Sequence, residues 1–244
     1  MKKLVVFGGT GRTGLAVLTR ASQDPELQVT AYLRKPEKVP VNVRSKIKIV
    51  LGNVLDADQV ANVIEGQDAV ISCLGKGFNI CPTTLISEGV KNIVQGMREH
   101  GVKRIVLVGV AFLLPGRKTM FILKEITADH ERALNYLKKC KDIDWIMSMP
   151  PQIIDAPYTD TYKVAINKLC GSKKATTHDI AHWMLTCVKD EEVAKEYKHQ
   201  LVGISSFLSF KQGLTRLKIG YYGLFAFALV GTLWYSGWLK NIFP

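Results

Sequence analysis

Short apolar runs rich in β-branched residues recur along the chain: KLVVF, QVTAYL, KIKIV, DAVISCL, KRIVLVGV and DWIMSM. Each is too short for a helix. Several are continuous rather than alternating, the pattern of strands buried on both faces of a parallel sheet. Between them, helical spacing of apolar residues predicts helices over 13–21, 57–64, 84–100 and about 123–139. Strand and helix in alternation predict an α/β fold: a Rossmann-like doubly wound parallel sheet in a single domain, with right-handed crossovers. The segment 39–44, with Pro40, is too short to supply a helix between the second and third strands. TTHDIAHWMLTCV predicts a further helix, opened by a capping Thr and carrying Ile180, Met184 and Val188 on one face. KHQLVGIS is expected to be the last edge strand.

The pattern changes near residue 205. From 219 to 239 no residue is charged, and Lys218 and Lys240 bracket the run. A helix of that length covers roughly 30 Å, the thickness of a bilayer's hydrocarbon core. Tyr221, Tyr222, Trp234, Tyr235 and Trp238 lie near its ends, where amphipathic rings favour the headgroup zone. Lys211, Arg216 and Lys218 precede the run and only KNIFP comes after it, so the large domain is expected to face the cytosol as a tail-anchored protein. Endoplasmic reticulum and outer mitochondrial membrane both suit such a tail. The expected organisation is a Rossmann domain over 1–204, a basic amphipathic juxtamembrane segment over 205–218, a transmembrane helix over 219–239 and a short tail over 240–244. Phe207, Phe210, Leu214 and Leu217 recur at helical spacing, which suits a helix lying in the interface over 205–218, with a linker or an extension of the spanning helix as the alternatives.

Composition adds little to the fold and more to the partners. The 244 residues are 47% hydrophobic, enough for a large core, and carry a formal charge of +12. No run of five or more like charges occurs and aromatics are not interleaved with a basic stripe, which speaks against nucleic acid. Cys73, Cys81, Cys140, Cys170 and Cys187 are odd in number, scattered and free of metal-ligand spacing, and read as reduced thiols. His178, His182 and His199 converge with no acid or thiol and read as structural. MKKLVVF imitates the start of a signal peptide, but glycine interrupts it before an apolar core forms.

Gly8, Gly11 and Gly14 stand directly after the first strand and at the start of the first helix, where a dinucleotide pyrophosphate rests on backbone N–H groups and the helix dipole. Thr10 and Thr13 add hydroxyl donors. At the end of the second strand an NAD site wants an acid for the ribose hydroxyl. YLRKPEK instead offers Arg34 and Lys35, with Arg12 in the glycine loop and Lys38 nearby. Cations suit a 2′-phosphate, so the expected cofactor is NADPH, with Arg34 its leading contact. Asn53 and Val54 after the third strand are placed at the adenine edge. Leu74, Gly75 and Lys76 after the fourth are placed alongside the cofactor.

The reacting end is harder to place. The Tyr and Lys four residues apart used by ordinary short-chain dehydrogenases occur nowhere in the chain, which disfavours standard alcohol dehydrogenation. An apolar slot is expected over the nicotinamide, walled by Phe112, Leu113 and Leu114 on one side and by Pro150, Pro151, Gln152 and Ile153 on the other. Such a slot suits a flat conjugated acceptor. Tyr158 and Tyr162 read as lid or packing residues.

The stretches FGGTGRTGL, EGQDAVI, PTTLISEG, HGVKRIV, AFLL, DHERAL and MPPQI closely resemble the NADPH-dependent flavin reductase and biliverdin IXβ reductase family, atypical short-chain dehydrogenases related to NmrA. The resemblance covers about 3–203 and leaves the tail without a counterpart. It implies an NADPH-binding Rossmann domain that passes hydride to a flavin-like or tetrapyrrole-like acceptor. It places Val110 where the family has a Ser, Gln152 and Leu134 where it has His, and Gly77 where it has an Arg, and it keeps His130 and the paired prolines. The resemblance thus nominates Val110, Phe112, Gln152 and His130 for the catalytic end and Pro150 and Pro151 for the cofactor. In this reading Gln152 donates to an acceptor carbonyl, and Lys76 or Lys124 receives an anionic tail. Two functions stay open: a membrane-tethered reductase, in which positioning supplies most of the rate, and a catalytically weak NADP(H) sensor or scaffold. For the tail, truncation after Ser205 is expected to release the protein from carbonate-washed membranes; retention of the truncated protein would contradict the anchor.

Overall fold

The computed structural model describes residues 1–77 and 81–207 of the chain. Residues Met1–Phe207 form one compact unit that contains two hydrophobic clusters, one on each face of the main sheet. The expected membrane segments from 208 onward lie outside the described residues. Among those described, no helix is long and apolar enough to cross a membrane.

Strand β1 (Lys2–Phe7) leads through the glycine turn into α1 (Arg12–Ala21), then β2 (Leu27–Leu33), a single helical turn α2 (Val41–Arg44) and β3 (Lys48–Leu51). Helix α3 (Ala57–Ile64), β4 (Ala69–Ser72), α4 (Leu85–Glu99), β5 (Arg104–Val108), α5 (Lys124–Leu137) and β6 (Asp144–Met149) complete the alternation. The chain then forms β7 (Gln152–Ile154), β8 (Lys163–Ile166) and β9 (Lys174–Thr176), and after them α6 (Thr177–Lys189), α7 (Glu191–Glu196) and β10 (Gln200–Ser205). The main sheet runs β3-β2-β1-β4-β5-β6-β10-β8. All its pairs are parallel except β10 with β8, and β7 pairs with β9 in a small separate ladder.

The period of two along each strand divides the core. Leu4 and Val6 of β1 face a cluster with α1 and α6, whereas Val5 and Phe7 face one with α3, α4 and α5. Ile146 of β6 joins the first, and Trp145 and Met147 the second. Both faces of the central strands are therefore apolar, which is why their runs do not alternate.

Two expectations need correction. A helical turn does exist between β2 and β3: Pro40, at φ −54°, sets up its start and buried Val43 ties it to the core. Four residues are too few to show helical periodicity. Strand β10 is not the edge; it is interior, because β8 pairs antiparallel outside it, Val202 opposite Ile166. Strands β7, β8 and β9 hold only three or four residues each, too few to announce themselves.

Helix caps fix two of the elements around the site. Thr176 caps α6 by accepting from the Asp179 N–H at 3.0 Å, as the capping Thr predicts. The start of α4 is capped from outside: fully buried Asp129 of α5 accepts from the N–H groups of Ile86 (2.9 Å) and Ser87 (3.2 Å) and from the Ser87 hydroxyl (2.6 Å). Arg132 ties the same carboxylate, at 3.2 Å, to the Thr83 carbonyl, at 2.5 Å. Replacing Asp129 by Ala strands two buried N–H donors, the Ser87 hydroxyl keeping the Thr84 carbonyl at 3.2 Å, and is expected to cost about 3 kcal/mol of unfolding free energy in urea titrations. A loss below about 1 kcal/mol would mean that these donors find other partners.

Candidate functional site

The parallel strands β1 to β5 end along one edge of the sheet, and the chain order reverses between β2 and β4 on either side of β1. A cavity of about 330 Å³ opens above that point, where open α/β sheets bind their ligands.

Its floor is the turn after β1. Gly8 sits at φ +74°, and a Cβ there would strike the Cys73 carbonyl. Gly14 does not touch the cavity; it lies behind the turn, where a Cβ would strike the Gly8 carbonyl. The two glycines let β1, β4 and the start of α1 converge, while Thr10, Gly11, Arg12 and Thr13 line the floor. Helix α1 opens at Gly11 with no side-chain cap and no acid in its first turn. Other helices are treated differently: Asp56 caps α3, Asp190 caps α7 and Asp129 caps α4. The uncapped N–H groups and the dipole of α1 suit an anionic group. The residues present therefore fit a nucleotide pyrophosphate.

One end of the cavity is cationic. Exposed Arg34 lines it beyond Leu33 of β2, and Arg12 crosses to the Ile153 carbonyl with a 3.2 Å hydrogen bond. Val54 lines the adjoining wall. Asn53 stays outside, its carbonyl accepting from the Tyr32 hydroxyl at 3.1 Å and its side-chain oxygen from the Leu55 N–H at 3.2 Å. Leu74, Gly75 and Lys76 form the rim after β4. The Lys76 ammonium donates to the carbonyls of Cys81 (3.2 Å) and Pro82 (3.1 Å), fastening that rim to the loop before α4.

The other end is apolar. Leu74, Leu85, Val110, Ile126 and Ile153 line the cavity together with His130. Of the slot expected over the nicotinamide, only Ile153 reaches the cavity among the seven wall residues. Phe112 is half-buried in the 3₁₀ turn Ala111–Leu113. Leu113 and Leu114 pack into the core. Pro150 is buried, with its carbonyl accepting from the Ala111 N–H at 3.1 Å; Pro151 is half-buried and Gln152 points outward from β7. Tyr158 and Tyr162 also stand apart, against α6: Tyr162 meets His182 at 2.7 Å, and the Arg20 guanidinium lies 4.5 Å over the Tyr158 ring.

The lining also takes in residues whose types carry no cofactor signal, among them Gly52, Leu85, Val108, Gly109 and Ile126. Ile126 could have been found, since it precedes His130 by four residues and so shares its helix face. Leu85 opens α4 and looks like any core residue in the sequence.

His130 is only 5% exposed, and its Nδ1 has no hydrogen-bond partner among the described residues. Burial pulls its pKa down to about 4, against a smaller upward pull from the Asp129 charge. The imidazole is therefore neutral at pH 7. Burial also pushes the Cys73 thiol up to about 12, so it is no nucleophile. Among the described residues no cluster of acids, thiols and imidazoles could hold a metal ion.

Comparison with known proteins agrees with this geometry. The sequence profile of a family described as NAD(P)H-binding matches residues 8–191. Oxidoreductase ptaF of Pestalotiopsis fici is 24% identical over 139 residues, covering 52% of this chain and 53% of that protein. The chain spans about half the length, or less, of the curated relatives it matches. A candidate NADH-flavin reductase of Streptococcus pneumoniae superposes with a TM-score of 0.71 at 18% identity, over 85% of this chain and 100% of the other. A candidate epimerase of Bacteroides thetaiotaomicron does so at 0.71 and 26%, over 85% and 98%.

Because its folded pKa lies below the ordinary imidazole value, neutral His130 contributes stability that is complete above about pH 6.5 and is lost as pH falls towards about 4. The loss amounts to roughly 3 kcal/mol across that window. His130→Gln should remove that part of the acid sensitivity, measured as unfolding free energies at pH 7 and pH 4; an unchanged difference would place the imidazole in water.

Proposed function

As the chain belongs to the NAD(P)H-binding family, we propose that it is an NADPH-dependent oxidoreductase that passes hydride to a flavin-like or biliverdin-like conjugated acceptor. The observation that carries this reading is one cavity with two unlike ends: an uncapped helix start beside Arg34 and Arg12, and an apolar wall around neutral His130.

A bound dihydronicotinamide supplies the hydride, and the protein's residues do the rest. Gly8 and Gly11 let the backbone approach a pyrophosphate, and Thr10 and Thr13 offer hydroxyl donors to it. Arg34 and Arg12 favour the phosphorylated ribose, whose extra charge an acid at the end of β2 would repel. Leu85, Val110, Ile126 and Ile153 exclude water and offer flat apolar surface to an acceptor ring. His130 adds a largely buried, neutral imidazole to that wall. Being neutral, it packs rather than protonates, and water delivers the proton to the reduced acceptor. Hydride transfer to an electron-poor ring asks for little more than alignment. Tethering through 219–239, with the domain in the cytosol, belongs to the same reading and rests on the uncharged run flanked by lysines.

A second reading has a specific observation behind it: Val110 brings no hydroxyl to the apolar end, and no charged acid lines it. A catalytically weak NADP(H) sensor would look the same there. The two separate in an NADPH oxidation assay with FMN, riboflavin and biliverdin isomers. Turnover on at least one acceptor is expected, and tight cofactor binding with no turnover on any would favour the sensor. In the same assay Arg34→Ala should raise the Kd for NADPH roughly tenfold or more and leave NADH nearly unchanged. Equal losses for both would remove Arg34 from the 2′-phosphate.

A further inference from the structure

Between β5 and α5 the chain runs over the carboxyl edge of the sheet and carries three consecutive exposed large apolar side chains there. Met120 is 58%, Phe121 92% and Ile122 57% exposed, on and just before the 3₁₀ turn Phe121–Leu123. Arg117, Lys118 and Lys124 flank them, and no acid occurs from 111 to 124. Among the described residues none of these three cations is in an ion pair. An apolar tip inside a ring of cations matches the chemistry of an anionic bilayer surface, acyl boundary beneath and phosphate above.

The topology points to the same occupant. Strand β10 runs parallel to β6, which runs parallel to β5, so Ser205 leaves the sheet at the edge where Val108 does. Only β6 separates them, roughly 10 Å across the sheet. Beyond Phe207 the chain continues through Lys211, Arg216 and Lys218 into the uncharged run 219–239. The exit of the chain, the exposed tip and the mouth of the cavity therefore share one edge.

We propose that Met120, Phe121 and Ile122 insert into the interfacial zone of an anionic membrane while Arg117, Lys118 and Lys124 contact its headgroups. Docked in this way, the cavity opens toward lipid. The tip lies outside the cavity wall, so the inference stands whether or not the site turns over any acceptor.

The fragment 1–207, which holds both hydrophobic clusters and lacks the uncharged run, tests it by cosedimentation with vesicles. Vesicles containing about 30% phosphatidylserine should retain the fragment at least tenfold better than phosphatidylcholine alone, and added salt should weaken that binding. Phe121→Asp and Lys118→Glu should each lower retention on anionic vesicles about tenfold. Their far-ultraviolet circular dichroism and NADPH affinity should stay as in the parent fragment, since both side chains are exposed and outside the cavity. Absence of binding by the parent fragment would overturn the proposal. So would equal retention of Phe121→Asp, or self-association that Phe121→Asp abolishes in the absence of any vesicle binding.

Discussion

The close approach of three backbones at the end of β1 governs the rest of the molecule. Gly8 presses on the Cys73 carbonyl after β4, and its own carbonyl abuts Gly14 of α1, so neither position has room for a Cβ. Because the turn is this tight, α1 begins directly over the edge of the sheet with its first N–H groups uncapped. Chain order reverses at the same strand, which leaves a crevice between the connections to either side. A single side chain in this turn would separate β1 from β4, or lift α1 away, and the crevice would lose its anion-binding floor.

Parallel pairing then distributes the remaining groups without further instruction. Strands that end in register deliver their next residues to one edge: Arg34 after β2, Val54 after β3, Leu74 after β4 and Val110 after β5. The cavity acquires a cationic end and an apolar end because the loops leaving those strands differ in chemistry. Asp129 and His130 illustrate how little sequence adjacency says about chemistry. Asp129 is turned into α4, where two N–H groups and a hydroxyl hold its charge, and its neighbour keeps a neutral ring at the cavity. They are no acid–base dyad.

Much of this is legible from residue patterns, for definable reasons. Buried parallel strands give continuous apolar runs, so the pattern places β6 at its observed bounds, 144–149, and α3 at 57–64. The nominated residues of the glycine loop, Arg34, Asn53, Val54 and the 74–76 rim come from the rule that ligands sit beyond strand carboxyl ends, and all but Gly14 and Asn53 line the cavity. The apolar end is harder to read. Phe112, Pro150, Pro151 and Gln152 belong to the loops after β5 and β6, but those loops are tied to each other by the Ala111 to Pro150 hydrogen bond and fold away from the cavity. Beside Leu74, Val110 and Ile153, its wall is completed by Ile126 and His130 of α5 and by Leu85, the first residue of α4. Their helix faces are set by tertiary packing, which local periodicity reports only as apolar.

The charges of the domain are sorted by edge, and this bears on what approaches it. At the amino edge Glu191 joins Lys2, at the start of β1, to Arg104, at the start of β5; Lys198 meets Asp144 at the start of β6. Lys189 holds Asp24 and Glu26 just before β2, and Arg98 holds Asp142 just before β6. These pairs are exposed enough to add little stability singly, yet they pair every one of the acids just named with a cation. Arg34, Arg117, Lys118 and Lys124 stand at the opposite edge and belong to no ion pair among the described residues. Cations without an ion pair among the described residues therefore stand at the cavity and beside the Phe121 tip. These cations draw anions toward that edge.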